Sequence, residues 1–428
     1  MSETSRPDLT WFGIVRLGLV QTALGAVIVL TTSTLNRVMV VELALPAILP
    51  GLLVGLHYAL QVLRPRWGFG ADKGQRATPW IIGGMAMLAG GGFVASLATA
   101  LMGTNLIGGI ALALVGFVLI GIGVGASGTS LLVLLAKRVA PQRRAPAATL
   151  VWLMMIFGFA ATAGLAGHFL DPFSTSRMIL VAAVLCSAAF LVSVAAVAGV
   201  EGRIDGHGAA PAEHKEEMPF RKALAEIWAE PKARLFSLFI IISMLAYSGQ
   251  DLILEPFAGI VFGFTPGGST KLSGLQHGGV LIGMIFVAIV AGPLAKGRFG
   301  SLTFWTMAGC VLSAMVLLAL VIASSIGPAW PLRVNVFALA MGAGGLIGAG
   351  AVDVAKWLTG SPFMAYGAVF TGEAILFLVA AGLAAKVSAL DASSFGASSL
   401  HQPLPAAVPA RAAPRHSRAA NATREPSL

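Results

Sequence analysis

Charge is what this sequence has least of. Only 11% of its 428 residues are Asp, Glu, Lys or Arg, where a water-soluble domain carries roughly a quarter. Mean hydropathy is correspondingly high, at +0.86. A soluble globular domain is thereby excluded. The surplus of 28 Lys+Arg over 18 Asp+Glu reads as basic loops at a membrane, not as a nucleic-acid-binding surface. Cysteine is confined to Cys186 and Cys310, both inside apolar runs, which excludes a disulfide framework. No leader is expected either: the first apolar run, from Trp11, is followed by further runs and not by a small-residue cleavage site.

Long apolar runs are what the chain has in quantity. A helix needs ~20 apolar residues to cross ~30 Å of hydrocarbon. By that rule spans are expected near 12–35, 44–63, 79–101, 106–135, 146–169, 176–200, 235–255, 273–295, 302–325 and 362–386. The run 332–358, broken by glycines Gly342–Gly350, either crosses once or enters and leaves on one side. The fold class is an all-α polytopic membrane bundle of about 11–12 segments. It divides into an N-terminal six-helix half (1–200), a polar linker (201–234) and a shortened C-terminal half (235–386). Residues 387–428, rich in Ala, Pro and Ser with four arginines, are expected to be a disordered basic tail. Within the linker, 219–229 reads as a solvated segment, with an amphipathic surface helix as the alternative.

Basic residues gather after the even-numbered spans: Arg64, Arg66, Lys73 and Arg76, then Lys137, Arg138, Arg143 and Arg144, then Lys296 and Arg298. Lys and Arg are retained in the cytoplasm, so these loops and the amino terminus are expected there. Two halves joined by a polar linker fit an internal repeat. The first span closes with Asn36, Arg37 and Glu42, and the seventh with Gln250, Asp251 and Glu255. Asp251 and Glu255 are four apart and share a helix face. Acids at this depth are costly unless paired or hydrated, which marks them as functional; the alternative is a boundary cap before Pro256, where the helix is expected to end or kink. Arg37 is expected to meet Asp251 or Glu255.

The loop Gly68–Arg76 resembles the signature of the major facilitator superfamily, with Gly68, Asp72, Lys73 and Arg76 in place and the following glycine one position early. Longer stretches are more specific: Thr34–Leu43 with Pro46, Pro50 and His57-Tyr58; Arg66–Arg76 with Thr78-Pro79-Trp80; Gln250–Gly263; and Gly360–Phe370. Together they resemble the PucC family, the light-harvesting assembly branch of that superfamily. Within it the chain looks most similar to the member described as a bacteriochlorophyll synthase subunit.

The resemblance implies an inner-membrane, multi-pass accessory factor that handles bacteriochlorophyll or helps light-harvesting polypeptides assemble. Its implied partners are bacteriochlorophyll or its precursors, antenna polypeptides, the lipid bilayer and the bacteriochlorophyll synthase. No cofactor is required; bound bacteriochlorophyll would be cargo. A neutral imidazole is a suitable ligand for the pigment's magnesium. His57 and His277, on corresponding helices of the two halves, are the candidates, and the alternative is a hydrogen bond to a neighbouring helix. Intrinsic synthase activity is not expected. Prenyl transfer needs clustered aspartates to hold magnesium and diphosphate, whereas Asp72, Asp171, Asp251 and Asp353 stand alone in their segments. The remaining alternative is a proton-coupled solute or pigment-precursor transporter using Asp251, Glu255 and Glu373.

Overall fold

A computed structural model describes residues 9–64, 76–201, 228–290 and 302–333, with isolated positions at 67, 225, 336 and within 371–386. The chain divides into a unit of residues 1–387, which holds all of these, and a unit of residues 388–428. Most of 332–358, and with it the re-entrant alternative, most of linker 201–234, the basic tail and loop residues Gly68, Asp72 and Lys73 lie outside the described residues.

Every described element is helical. They are α1 (Trp11–Glu42), α2 (Ile48–Ala59), α3 (Thr78–Met102), α4 (Leu106–Arg138), α5 (Arg144–Phe169), α6 (Thr175–Val197), α7 (Pro231–Phe262), α8 (Pro266–Val290) and α9 (Leu302–Ile326). A further apolar helix covers Ala374–Leu383. Six helices among the described residues are long and apolar enough to cross a membrane, and the chain is a multi-pass membrane protein. Polar side chains start several of them: Thr10, Asn105 and Ser174 each accept a backbone N–H of the first turn of α1, α4 and α6.

Two helices depart from the expected boundaries. α7 does not stop at Pro256 but runs on to Phe262, where Gly263 in the left-handed conformation (φ 67°) turns the chain out. α1 continues beyond residue 35 to Glu42 by widening into two π-helical stretches, Leu30–Leu35 and Val38–Glu42.

Packing in the N-terminal half rests on small residues. α3 lies along α4 so closely that a methyl group on Gly123 would sit 2.5 Å from the Leu88 nitrogen, and one on Gly84 2.6 Å from the Ser127 nitrogen. α1 is wrapped by α5 and α6. At the end where α1 begins, Leu9 donates to the Arg138 carbonyl (2.7 Å) and Arg138 donates to the Glu201 carbonyl (2.6 Å). The Glu201 carboxylate there accepts the Ala77 and Thr78 N–H groups that open α3 (2.6 and 2.9 Å).

Each half has its own apolar core. One is built from α1–α6, with Leu252 of α7 at its edge; the other from α7, Leu272 of α8, α9, Leu332, Val336 and residues 374–381. Between them α5 crosses α8 in close contact, with a methyl on Gly167 2.6 Å from the Gly267 carbonyl and one on Gly274 2.9 Å from the Gly164 nitrogen. Near that crossing the seam holds a small apolar cluster among the described residues, Met155, Ile156 and Val280 with Phe159 and Leu281. Toward the end where α1 finishes it is polar.

Candidate functional site

The polar end of the seam is assembled by the widened part of α1, the second half of α7 and the start of α8. α1 presents Thr31, Thr32, Ser33, Thr34, Asn36 and Arg37, all buried. Ordinary α-helical spacing would spread such a run around the axis, whereas π turns re-aim it and are frequent at functional sites.

Pro256 explains one contact. It has no N–H to give the Leu252 carbonyl one turn earlier. Asn36 Nδ2, from the other half, donates to that carbonyl at 2.7 Å. A group that the proline would leave unpaired is thus satisfied across the seam, which is how a proline persists inside a membrane helix.

Arg37 is 2% exposed and doubly used. One guanidinium nitrogen donates to Glu42 Oε1 at 2.5 Å and the other to the Phe264 carbonyl, just past the end of α7, at 2.6 Å. Its Nε has no partner. Gly259 makes the room, since a methyl there would stand 3.0 Å from the guanidinium. The ion pair of Arg37 is thus with Glu42 on its own helix, where Asp251 or Glu255 was expected; with Glu255 no ion pair forms, and the Asp251 side chain lies outside the described residues. Residues five apart lie on opposite sides of an α-helix, but the π stretch Val38–Glu42 brings position 42 back over position 37.

Glu255 is 1% exposed, and its partners are hydroxyls. Ser33 donates to Oε1, and Thr270 of α8 donates to Oε2 at 3.4 Å. Thr270 also meets Thr34 at 3.4 Å. Sequence reasoning chose Glu255 but missed Ser33, Thr34, Gly259 and Thr270; the run of four hydroxyl residues at 31–34 inside an apolar span was the available signal. The side chains of Gln250 and Asp251 lie outside the described residues, although both positions fall within α7.

The two histidines have different neighbours. His57 is 1% exposed on α2, its Nδ1 is 3.0 Å from the Val54 carbonyl, and its buried Nε2 has no partner. α2 packs on α4, where a methyl on Gly121 would stand 2.9 Å from the His57 carbonyl. His277 lies on the seam face of α8 with Nδ1 2.9 Å from the Ser273 carbonyl, and Phe159 of α5 meets its ring edge-on at 5.0 Å. Of the loop motif only Arg76 is described; it is exposed beside the start of α3.

Comparison with solved structures shows the fold. The chain matches a structure titled for substrate recognition in proton dependent oligopeptide transporters with a TM-score of 0.61 at 12% identity, covering 88% of this chain and 98% of that one. It matches a bacterial homologue of the human lysosomal transporter Spinster with a TM-score of 0.57 at 14% identity, covering 88% and 96%. The fold is the one these transporter structures share. Sequence comparison is more specific. The family model described as "PUCC protein" matches residues 34–344. The "Bacteriochlorophyll synthase 44.5 kDa chain" of Rhodobacter capsulatus is 45% identical over 420 residues, covering 89% of this chain and 96% of that one. "Protein PucC" of Rhodovulum sulfidophilum is 30% identical over 317 residues, covering 70% of each. From this agreement of fold, family model and full-length relatives, the chain belongs to the PUCC protein family.

Proposed function

We propose that this chain is a non-enzymatic accessory protein of the bacterial inner membrane, with its amino terminus in the cytoplasm. On this reading it handles bacteriochlorophyll or a precursor and serves the assembly of light-harvesting complexes. The observation that carries the reading is 45% identity across 96% of a relative named for bacteriochlorophyll synthesis, joined to membership of a family that includes PucC proteins. The absence of catalysis rests on the isolated aspartates, which offer no site for a magnesium diphosphate.

His57 supports pigment contact by its chemistry. A carbonyl only accepts, so the Nδ1 held by Val54 carries the hydrogen, and Nε2 presents the lone pair that a magnesium centre takes. Space does not support it in this conformation, because Nε2 is enclosed and α2 is tight against α4. A macrocycle reaches His57 only when those helices part. His277, on the seam between the halves, is the second proposed contact. Antenna polypeptides and the synthase are the proposed protein partners.

A strain lacking the protein tests the proposal. We expect lowered antenna complex and bacteriochlorophyll, with extracts that still esterify bacteriochlorophyllide with an isoprenoid diphosphate. Unchanged antenna levels, or purified protein that performs the esterification alone, would overturn it.

A further inference from the structure

Among the described residues, Glu255 is a buried acid with no ion-pair partner in contact with it. Its partners among the described residues are neutral hydroxyls: Ser33 and Thr270, with Ser269 and Ser273 beside them. The described charged groups on the elements around it are engaged elsewhere, although Arg37 stands near enough for its charge to act on Glu255. On α1, Arg37 and Glu42 neutralise one another, and the second arm of Arg37 holds the Phe264 carbonyl. On α8, Lys271 is 3.6 Å from Asp171 of the α5–α6 turn and both are partly exposed, while the His277 ring is tied to Ser273. Arg333, beyond α9, stands over the Phe264 ring at 5.9 Å. Asp251 falls one turn earlier on α7, with its side chain outside the described residues.

A bare carboxylate here would put a negative charge in a desolvated seam, with neutral hydroxyls as its contacts and the nearby Arg37 charge already shared with Glu42. Hydroxyl bonds offset only part of the cost of removing such a charge from water. A neutral carboxyl fits the same place at no such cost, because its own O–H adds a donor that Ser33 or Thr270 accepts. We infer that Glu255 is a proton-binding site of the seam, carrying a proton while the halves are closed as they are here. When the seam opens and water enters, the proton passes to water and the carboxylate is solvated. Proton loading and closure are then one equilibrium, since opening breaks the Ser33–Glu255, Asn36–Leu252 and Arg37–Phe264 contacts together.

The face of α8 gives the route. Ser269, Thr270, Ser273, Gln276 and His277 recur at helical spacing and are each at most 5% exposed. They form a continuous buried polar face running ~10 Å from Thr270 to His277, at ~1.5 Å per residue. In a membrane helix such a face belongs to an interior path and not to lipid. It leads from Glu255 toward the cytoplasmic end of the bundle, in the orientation proposed above.

Infrared difference spectroscopy on the full-length protein in lipid tests this. Wild type minus Glu255→Gln at neutral pH should show one protonated-carboxyl C=O band lost, slow to respond to D₂O. Thr270→Val, which leaves the acid in place, should shift that band. A difference spectrum with carboxylate bands alone, or a band that Thr270→Val leaves unmoved, overturns the proposal. Spin labels at Thr104→Cys and Ala329→Cys, one in each half, then read coupling. Wild type should lengthen its inter-label distance as pH rises, and Glu255→Gln should stay at the short distance. Identical pH responses of the two proteins would contradict the coupling.

Discussion

The bond from Asn36 to the Leu252 carbonyl yields the sharpest energetic prediction. Asn36→Ala leaves that carbonyl buried with no N–H, because Pro256 cannot supply one. Leaving a buried carbonyl unsatisfied costs about 1–3 kcal/mol in soluble proteins. Interhelical hydrogen bonds in membrane proteins measure lower, averaging about 0.6 and reaching about 1.7 kcal/mol. We therefore expect a loss of roughly 1.5 kcal/mol, near the upper membrane value, because the orphaned group has no alternative donor. Pro256→Ala restores an N–H at position 256, so the same Asn36→Ala change made in that background should lose about 1 kcal/mol less, some fivefold in the unfolding constant. Unfolding in mixed micelles titrated with dodecyl sulfate measures all four corners of the cycle. If the single effects add to within about 0.5 kcal/mol, Asn36 and Pro256 are uncoupled and the explanation of the unbroken α7 is wrong.

Other substitutions probe the frame around the seam. Gly123→Ala should separate α3 from α4 and destabilise by about 1–3 kcal/mol, seen as lower monodisperse yield. Gly90→Ala on the same helix pair meets nothing within 4 Å and should be neutral. Glu201→Ala removes the carboxylate that accepts two N–H groups at the start of α3 and should cost about 1 kcal/mol, lowering the melting temperature, with Glu201→Gln intermediate. A reporter fused after Ala392 should read cytoplasmic; phosphatase activity there without cytoplasmic fluorescence would mean that 332–358 crosses the membrane.

Hydropathy alone made the spans legible, and rarity made Asn36, Arg37, Glu42 and Glu255 stand out in them. Their pairings were not legible. Arg37 was expected to meet Asp251 or Glu255 because they close corresponding spans, whereas its ion pair is with Glu42, and pairing depends on local helical pitch. The π turns at 30–35 and 38–42 carry no hydrophobic periodicity of their own, since residues 30–40 are buried all round. The same holds for Pro256, a helix stop by local rules that a side chain 220 positions earlier compensates (Pro256 and Asn36). Hydroxyls such as Ser33 and Thr270 bond within their own helix as readily as across a seam, so their sequence signal is weak. Glycines were legible as close-packing residues in general, and only the fold assigned Gly123 to Leu88 and Gly259 to Arg37.

The most direct measurement is an absorption spectrum of the protein purified in mild detergent from a pigment-producing host. The account predicts bacteriochlorophyll or precursor absorbance co-eluting with the monodisperse protein, and a loss of that absorbance in the His57→Ala, His277→Ala double variant at unchanged elution. Folded, monodisperse wild-type protein from such cells with no tetrapyrrole absorbance would contradict the account.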